Sequence, residues 1–236
     1  MPTLICDIET IGEKWDELDE TTKEMLTWSL DKENLGEENY EKELGLLKDG
    51  LGFSPFTGEI VAIGVMDLEQ DKGVVYYQSP GEKNEDIEVG KFVLKQRTEV
   101  EMLEDFWQGM KKYDTFVGYN SRGFDVPFLM LRSAVHKIKP TKNLMSNRYV
   151  GSQIFNAKHI DLYDQLSFYG SFRRSMKLHL VCRAFGIKSP KVEGVTGDDV
   201  AGLFASKNYL DIAKYNTRDL EATKGVYEYW ANYINV

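Results

Sequence analysis

The chain has 236 residues, of which 42% are hydrophobic, with two cysteines and a formal net charge of −9. That size suits one large α/β domain or two small ones, and the apolar content is enough for a packed core. No run approaches the roughly 18 apolar residues of a membrane helix, and the N-terminus lacks the basic-then-apolar pattern of a secretory signal. Cys6 and Cys182 lie in apolar surroundings at no metal-binding spacing, as free thiols of a reducing cytoplasm would.

Charge is unevenly distributed. Residues 132–191 hold 12 Lys and Arg against Asp161 and Asp164, a local +10, so the remainder carries −19. Residues 13–50 hold 13 acids and five lysines, or −8. An acidic chain can conceal a basic face suited to nucleic acid, although ordinary solvated surfaces also explain both stretches.

In chain order, a first strand is predicted over residues 3–8, within LICDIETIG. Residues 13–50 are polar and helix-prone and read as an insertion of short surface helices, with Thr21 and Glu24 as a capping box. Gly58 closes a turn, and strands at 59–68 and 73–79 form a hairpin across Glu69–Lys72. Val100, Leu103, Phe106, Trp107 and Met110 then share one helical face. Residues 114–120 form a fourth strand. A helix follows over 125–137, with Pro127 tolerated in its first turn, and a short fifth strand starts at 158. Helices are expected at 176–186, ending near Gly186, at 196–206, capped by Thr196 and Asp199, and at 209–234. The whole predicts a mixed five-stranded sheet, three strands antiparallel and two further strands parallel, flanked by helices in a single domain over 1–236.

Carboxylates recur at the ends of these elements. Asp7 and Glu9 are two apart in a strand and point to one side, where like charges repel unless a cation lies between them. Asp125 opens a helix after the turn that holds Asn120. Tyr215 and Asp219 are four apart, on one helical face. Taken singly, each is explained as a surface acid, a helix N-terminal acid or a packed tyrosine. In an α/β fold, however, such ends meet at the carboxyl edge of the sheet, where ligands bind. Four converging carboxylates need cations to stay ionised. Oxygen-only ligands suit Mg²⁺ or Mn²⁺, and two such ions about 4 Å apart suit a phosphoryl displacement.

The order D-x-E, N-x-x-x-F-D and Y-x-x-x-D, carried by Asp7, Glu9, Asn120, Phe124, Asp125, Tyr215 and Asp219, resembles the DEDD 3′–5′ exonucleases with a ribonuclease H-like fold. It resembles their tyrosine branch (DEDDy). Lys214 stands where the histidine branch would have His, which leaves His136, His159 and His179 as surface or packing residues. DIET, GYNSRGFDVPFL, IDLY and YNTRDLEATKGVY look like the proofreading exonuclease domains of family B DNA polymerases and their stand-alone relatives. The likeness covers 1–12 and 58–235 and leaves 13–50 unplaced.

The resemblance implies two divalent cations. Asp7 would bridge them, Glu9 and Asp219 would hold the one that activates water, Asp125 would serve the other, and Tyr215 would orient the water. Nucleoside 5′-monophosphates would leave the 3′ end of a single strand, DNA in preference to RNA. Thr10 and Ile11 would meet the terminal nucleotide. Asn120 and Phe124 would grip the strand by a polar contact and a stacking ring. Arg173, Arg174 and Lys177, near Phe168, Tyr169 and Phe172, would line its path. A polymerase or repair partner is expected, with no membrane association. A ribonuclease or endonuclease on the same fold, or a non-catalytic nucleic-acid-binding module, stays open at this point.

Overall fold

The computed structural model describes residues 1–193 and 199–235. The expectation for Thr196 lies outside these residues. In chain order the elements are β1 (Thr3–Gly12), α1 (Glu20–Thr27), α2 (Lys32–Leu35), α3 (Glu37–Asp49), β2 (Gly58–Asp67), β3 (Lys72–Tyr77), β4 (Ile87–Val89), β5 (Phe92–Gln96), α4 (Glu99–Met110), β6 (Thr115–Gly118), α5 (Asp125–Val135), β7 (Lys158–Asp161), α6 (Leu162–Leu166), α7 (Leu178–Phe185), α8 (Val200–Ala205) and α9 (Tyr209–Tyr233).

The strands form one sheet in the order β4-β5-β3-β2-β1-β6-β7. β1, β2 and β3 are antiparallel, and β6 and β7 follow parallel to β1. These are the five expected strands in their expected directions. The count of five is corrected to seven, because β5 adds parallel to β3 and β4 pairs antiparallel with β5. Three-residue β4 is too short for a periodic signal. β5 turns Phe92 and Leu94 into the core and carries Lys95 on its other face.

Helices cover both faces. On one, Leu4, Cys6, Ile8, Ile60 and Ile63 pack against Met102, Leu103, Phe106 and Trp107 of α4 and Val126, Phe128 and Leu129 of α5. On the other, Ile5, Val61, Ala62 and Met66 pack against Val181 and Cys182 of α7, Val200 of α8 and Ile212, Leu220 and Val226 of α9. Strand parity therefore assigns Asp7 and Glu9 to the α9 side. Both cysteines are free and buried.

Two local expectations are corrected. α1 is capped by Asp19, which accepts from the Thr22 N–H, so Thr21 and Glu24 form no capping box. The box occurs instead at Thr98 and Glu101, at the start of α4. Val100 of α4 is exposed, and Glu99 takes a buried place beside the apolar stripe. Glu99 accepts from the Ile60 N–H and from Arg132 and His136 of the helical turn facing it. Burial alone would raise its pKa, but those donors outweigh it and hold the carboxyl below the usual range. Arg132 also donates to the Pro55 carbonyl, so the same cluster pins the end of the acidic insertion.

Candidate metal and nucleic-acid site

β1 is held centrally in the sheet, and its C-terminal half outruns β6, whose pairing ends at Ile5↔Val117. There Asp7 and Glu9 meet the buried face of α9. One ligand oxygen each from Asp7, Glu9 and Asp219 lie within 4.8 Å of one another. Glu9 Oε1 is buried and has no hydrogen-bond partner among the described residues. An ionised oxygen left so is costly unless a cation takes it. Three carboxylates with no nitrogen or sulfur among them suit a hard divalent cation.

Asp125 stands apart from that trio. It comes from the opposite layer, and its Oδ1 accepts the Ile8 N–H at 3.2 Å. The acid reaches across the sheet edge and takes a β1 donor beyond the end of the β6 pairing. It remains within charge range, since the Asp125 and Asp219 charges both act on Asp7 and Glu9.

Burial first, then the neighbouring acids, hold Asp7 and Glu9 well above the carboxylate range. Burial pushes Asp219 up to about 7, offset by the Tyr215 hydroxyl and by the charges of Arg218 and Lys191. Burial likewise raises Asp125 to about 7 against its backbone hydrogen bonds. Burial and the facing acids raise the Tyr215 phenol too, so it stays protonated. The Arg218 guanidinium lies 5.5 Å from the centroid of the Tyr215 ring.

A cleft of about 450 Å³ opens over Tyr215 and Asp219, lined also by Asn120, Lys177, His179 and Lys191. Asn120 has a left-handed backbone (φ 58°), which Asn tolerates better than most residues. Its N–H and that of Arg122 are both accepted by Asp161, each at 2.9 Å. The expected grip residues therefore fall into two groups. Asn120 lines the cleft with Tyr215 and Asp219. Thr10 and Ile11 line a separate hollow of about 370 Å³, and Phe124 packs edge-on against Phe53.

The basic stretch is divided in its use. Arg132 serves Glu99, and Arg148 serves Asp164, whereas Arg173, Arg174 and Lys177 are exposed along with Phe168 and Phe172. His159 is buried between the Ser121 hydroxyl and the Leu144 carbonyl, and burial pushes its pKa down to about 3. It is a packing residue, as expected.

Sequence reasoning missed Asn216. It is fully buried on α9, and its amide donates to Asp7 Oδ2 at 2.8 Å. Gly64, opposite Asp7 in the β1/β2 register, makes room for it, because a Cβ there would fall 1.7 Å from Asn216 Oδ1. Asn216 lies inside YNTRDLEATKGVY, but no periodicity marks it. Asp161, which fixes the Asn120 turn, carries no site signal of its own within IDLY, and Phe53 has none in its segment.

Residues 58–232 match the model of a family described as predicted 3′–5′ exonucleases related to the exonuclease domain of PolB. No curated protein matches the sequence. The fold is similar to that of the family B DNA polymerase from the hyperthermophilic archaeon Pyrobaculum calidifontis, with a TM-score of 0.58 and 18% identity over 98% of this chain. The chain spans 24% of that polymerase's length.

Proposed function

This chain belongs to the family of predicted 3′–5′ exonucleases related to the exonuclease domain of PolB, and from that we propose that it removes nucleotides from the 3′ end of single-stranded nucleic acid, DNA in preference to RNA. The observation that carries this reading is the meeting of Asp7, Glu9 and Asp219 within 4.8 Å, with one buried Glu9 oxygen unpartnered.

We assign two divalent cations, Mg²⁺ or Mn²⁺, to Asp7, Glu9, Asp219 and the adjacent Asp125. Such ions activate water and neutralise charge on the scissile phosphate. The protein's own part is positional. Tyr215, kept protonated, hydrogen-bonds the attacking water and orients it rather than taking its proton. Asn216 fixes the rotamer of Asp7. Lys177 and Lys191 give the cleft positive charge toward the phosphates, and Asn120 offers a polar contact to the strand. The products are nucleoside 5′-monophosphates. The 3′ ends would come from a polymerase or a repair enzyme acting alongside.

The test uses 5′-labelled DNA and RNA, single-stranded and duplex, with Mg²⁺, Mn²⁺ or EDTA. We expect a ladder shortening from the 3′ end of single-stranded DNA, lost in EDTA and in Asp7→Ala. Internal fragments would assign an endonuclease, and faster loss of RNA a ribonuclease. An Asp7→Ala variant as fast as the parent would remove the mechanism.

A further inference from the structure

The acidic insertion over 13–50 leads into a 3-10 turn, Gly50–Phe53, that packs on the last residues of β1. Leu51 is buried. Its carbonyl accepts the Thr57 hydroxyl at 2.8 Å, and the Gly52 carbonyl accepts the Thr10 hydroxyl at 2.7 Å. Gly52 lies so close to β1 that a Cβ on it would stand 2.9 Å from the Gly12 nitrogen. The backbone on either side of Phe53 is thus fixed, yet the Phe53 ring is 66% exposed. Fixing a chain so as to display an apolar ring to water gains nothing for the fold.

The location of the ring supplies the missing reason. Its centroid is 6.2 Å from that of Phe124, at 67°, and it lines the hollow shared with Thr10, Ile11 and Ala201. Thr10 directly follows Glu9, and Phe124 directly precedes Asp125. The ring pair therefore sits where the end of β1 and the start of α5 carry Glu9 and Asp125. Cleavage of the last phosphodiester leaves the terminal base as the group next to the reacting phosphate, and a base presents a flat π-face that an aromatic ring can stack on.

Resting on the exonuclease reading above, we propose that Phe53 is a substrate-binding residue. With Phe124 it forms a stacking subsite for the 3′-terminal base, so the turn that follows the acidic insertion completes the substrate site.

The test compares the parent with Phe53→Ala and Phe53→Tyr in two assays. The first measures kcat/KM on single-stranded DNA ending in an ordinary nucleotide or in an abasic tetrahydrofuran residue. Phe53→Ala should lose about 10-fold on the ordinary end, through KM, and match the parent on the abasic end, and Phe53→Tyr should restore the loss. The second measures fluorescence of a 3′-terminal 2-aminopurine, with the last linkage a phosphorothioate so that the strand binds uncut. The parent and Phe53→Tyr should quench it by stacking, and Phe53→Ala should not. Equal losses on both ends, or quenching that survives Phe53→Ala, would overturn the inference. A parent that cuts neither strand would refute the exonuclease reading, while the 2-aminopurine signal would still decide for or against Phe53.

Discussion

Gly64→Ala tests how the carboxylate cluster is held. The added methyl would sit 1.7 Å from Asn216 Oδ1 and 2.8 Å from Leu220 Cδ1. Leu220 can yield through its flexible end, but Asn216 is fully buried and has to leave Asp7. Overpacking of this kind costs about 1–3 kcal/mol. Losing a hydrogen bond to a charged group adds about 1.5–3 kcal/mol. A total of about 2.5–6 kcal/mol lowers Tm by about 5–24 °C for a chain of this size. Thermal melts would measure this, and calorimetric Mn²⁺ titration should show weakened binding, since Asp7 loses the donor that fixes its rotamer. The decisive comparison is a double-mutant cycle. Asn216→Ala alone should also weaken Mn²⁺ binding, and once the amide is gone the added methyl meets only the flexible end of Leu220. The double variant should therefore be about as stable as Asn216→Ala. If the two losses simply add, the methyl does not act through Asn216, and the account of how Asp7 is positioned fails.

Asp7→Asn removes one of several crowded like charges, so it should raise Tm in EDTA while abolishing the Mn²⁺-induced rise of the parent. That rise amounts to about 2.7 kcal/mol at 100 times Kd. Asp125 and Asp219 have folded pKa values near 7, against about 3.9 when unfolded. The folded state thus binds more protons between those values, and metal-free stability should fall as pH rises from about 4 to about 7. Urea midpoints at pH 5 and pH 8 in EDTA would show this, with Mn²⁺ reversing the loss at pH 8; a metal-free midpoint higher at pH 8 would contradict it. Arg132→Met leaves Glu99 buried without its guanidinium and should cost about 3–5 kcal/mol, mostly recovered by adding Glu99→Gln, as read from chemical denaturation. Tyr215→Phe should lower kcat without abolishing cleavage, and an unchanged rate at every pH would end the water-orienting role.

Those features of the site that follow from local periodicity were legible in the sequence. Alternation along LICDIETIG puts Asp7 and Glu9 on one face, and a spacing of four puts Tyr215 beside Asp219. Other features depend on which distant backbone lies opposite. Asn216 is one residue on from Tyr215, a rotation of about 100° on the helix, and it matters because Gly64 of β2 happens to face it. Asp125 reads as an ordinary helix-opening acid, yet it serves Ile8 across the sheet edge because β6 stops short. Phe53 lies between the acidic insertion and β2, in a short stretch with no periodic signal, and only the seating of its turn on Gly12 brings it to Phe124. The strands β4 and β5 were missed for another reason: they are short, and their partner is the edge of β3.

The separation of the acids along the chain has a kinetic consequence. The Asn216–Asp7 bond joins positions 209 residues apart, and Asp219 is more distant still. The trio cannot assemble until α9 docks on β1, after almost all of the described chain has been made. Docking must also bring like charges together, against their repulsion, until protons or cations arrive. Until α9 has emerged, a nascent chain would therefore lack the assembled carboxylate site, and the ions that would serve the proposed reaction would also favour the docking of α9. Activity and completion of the fold would then begin together.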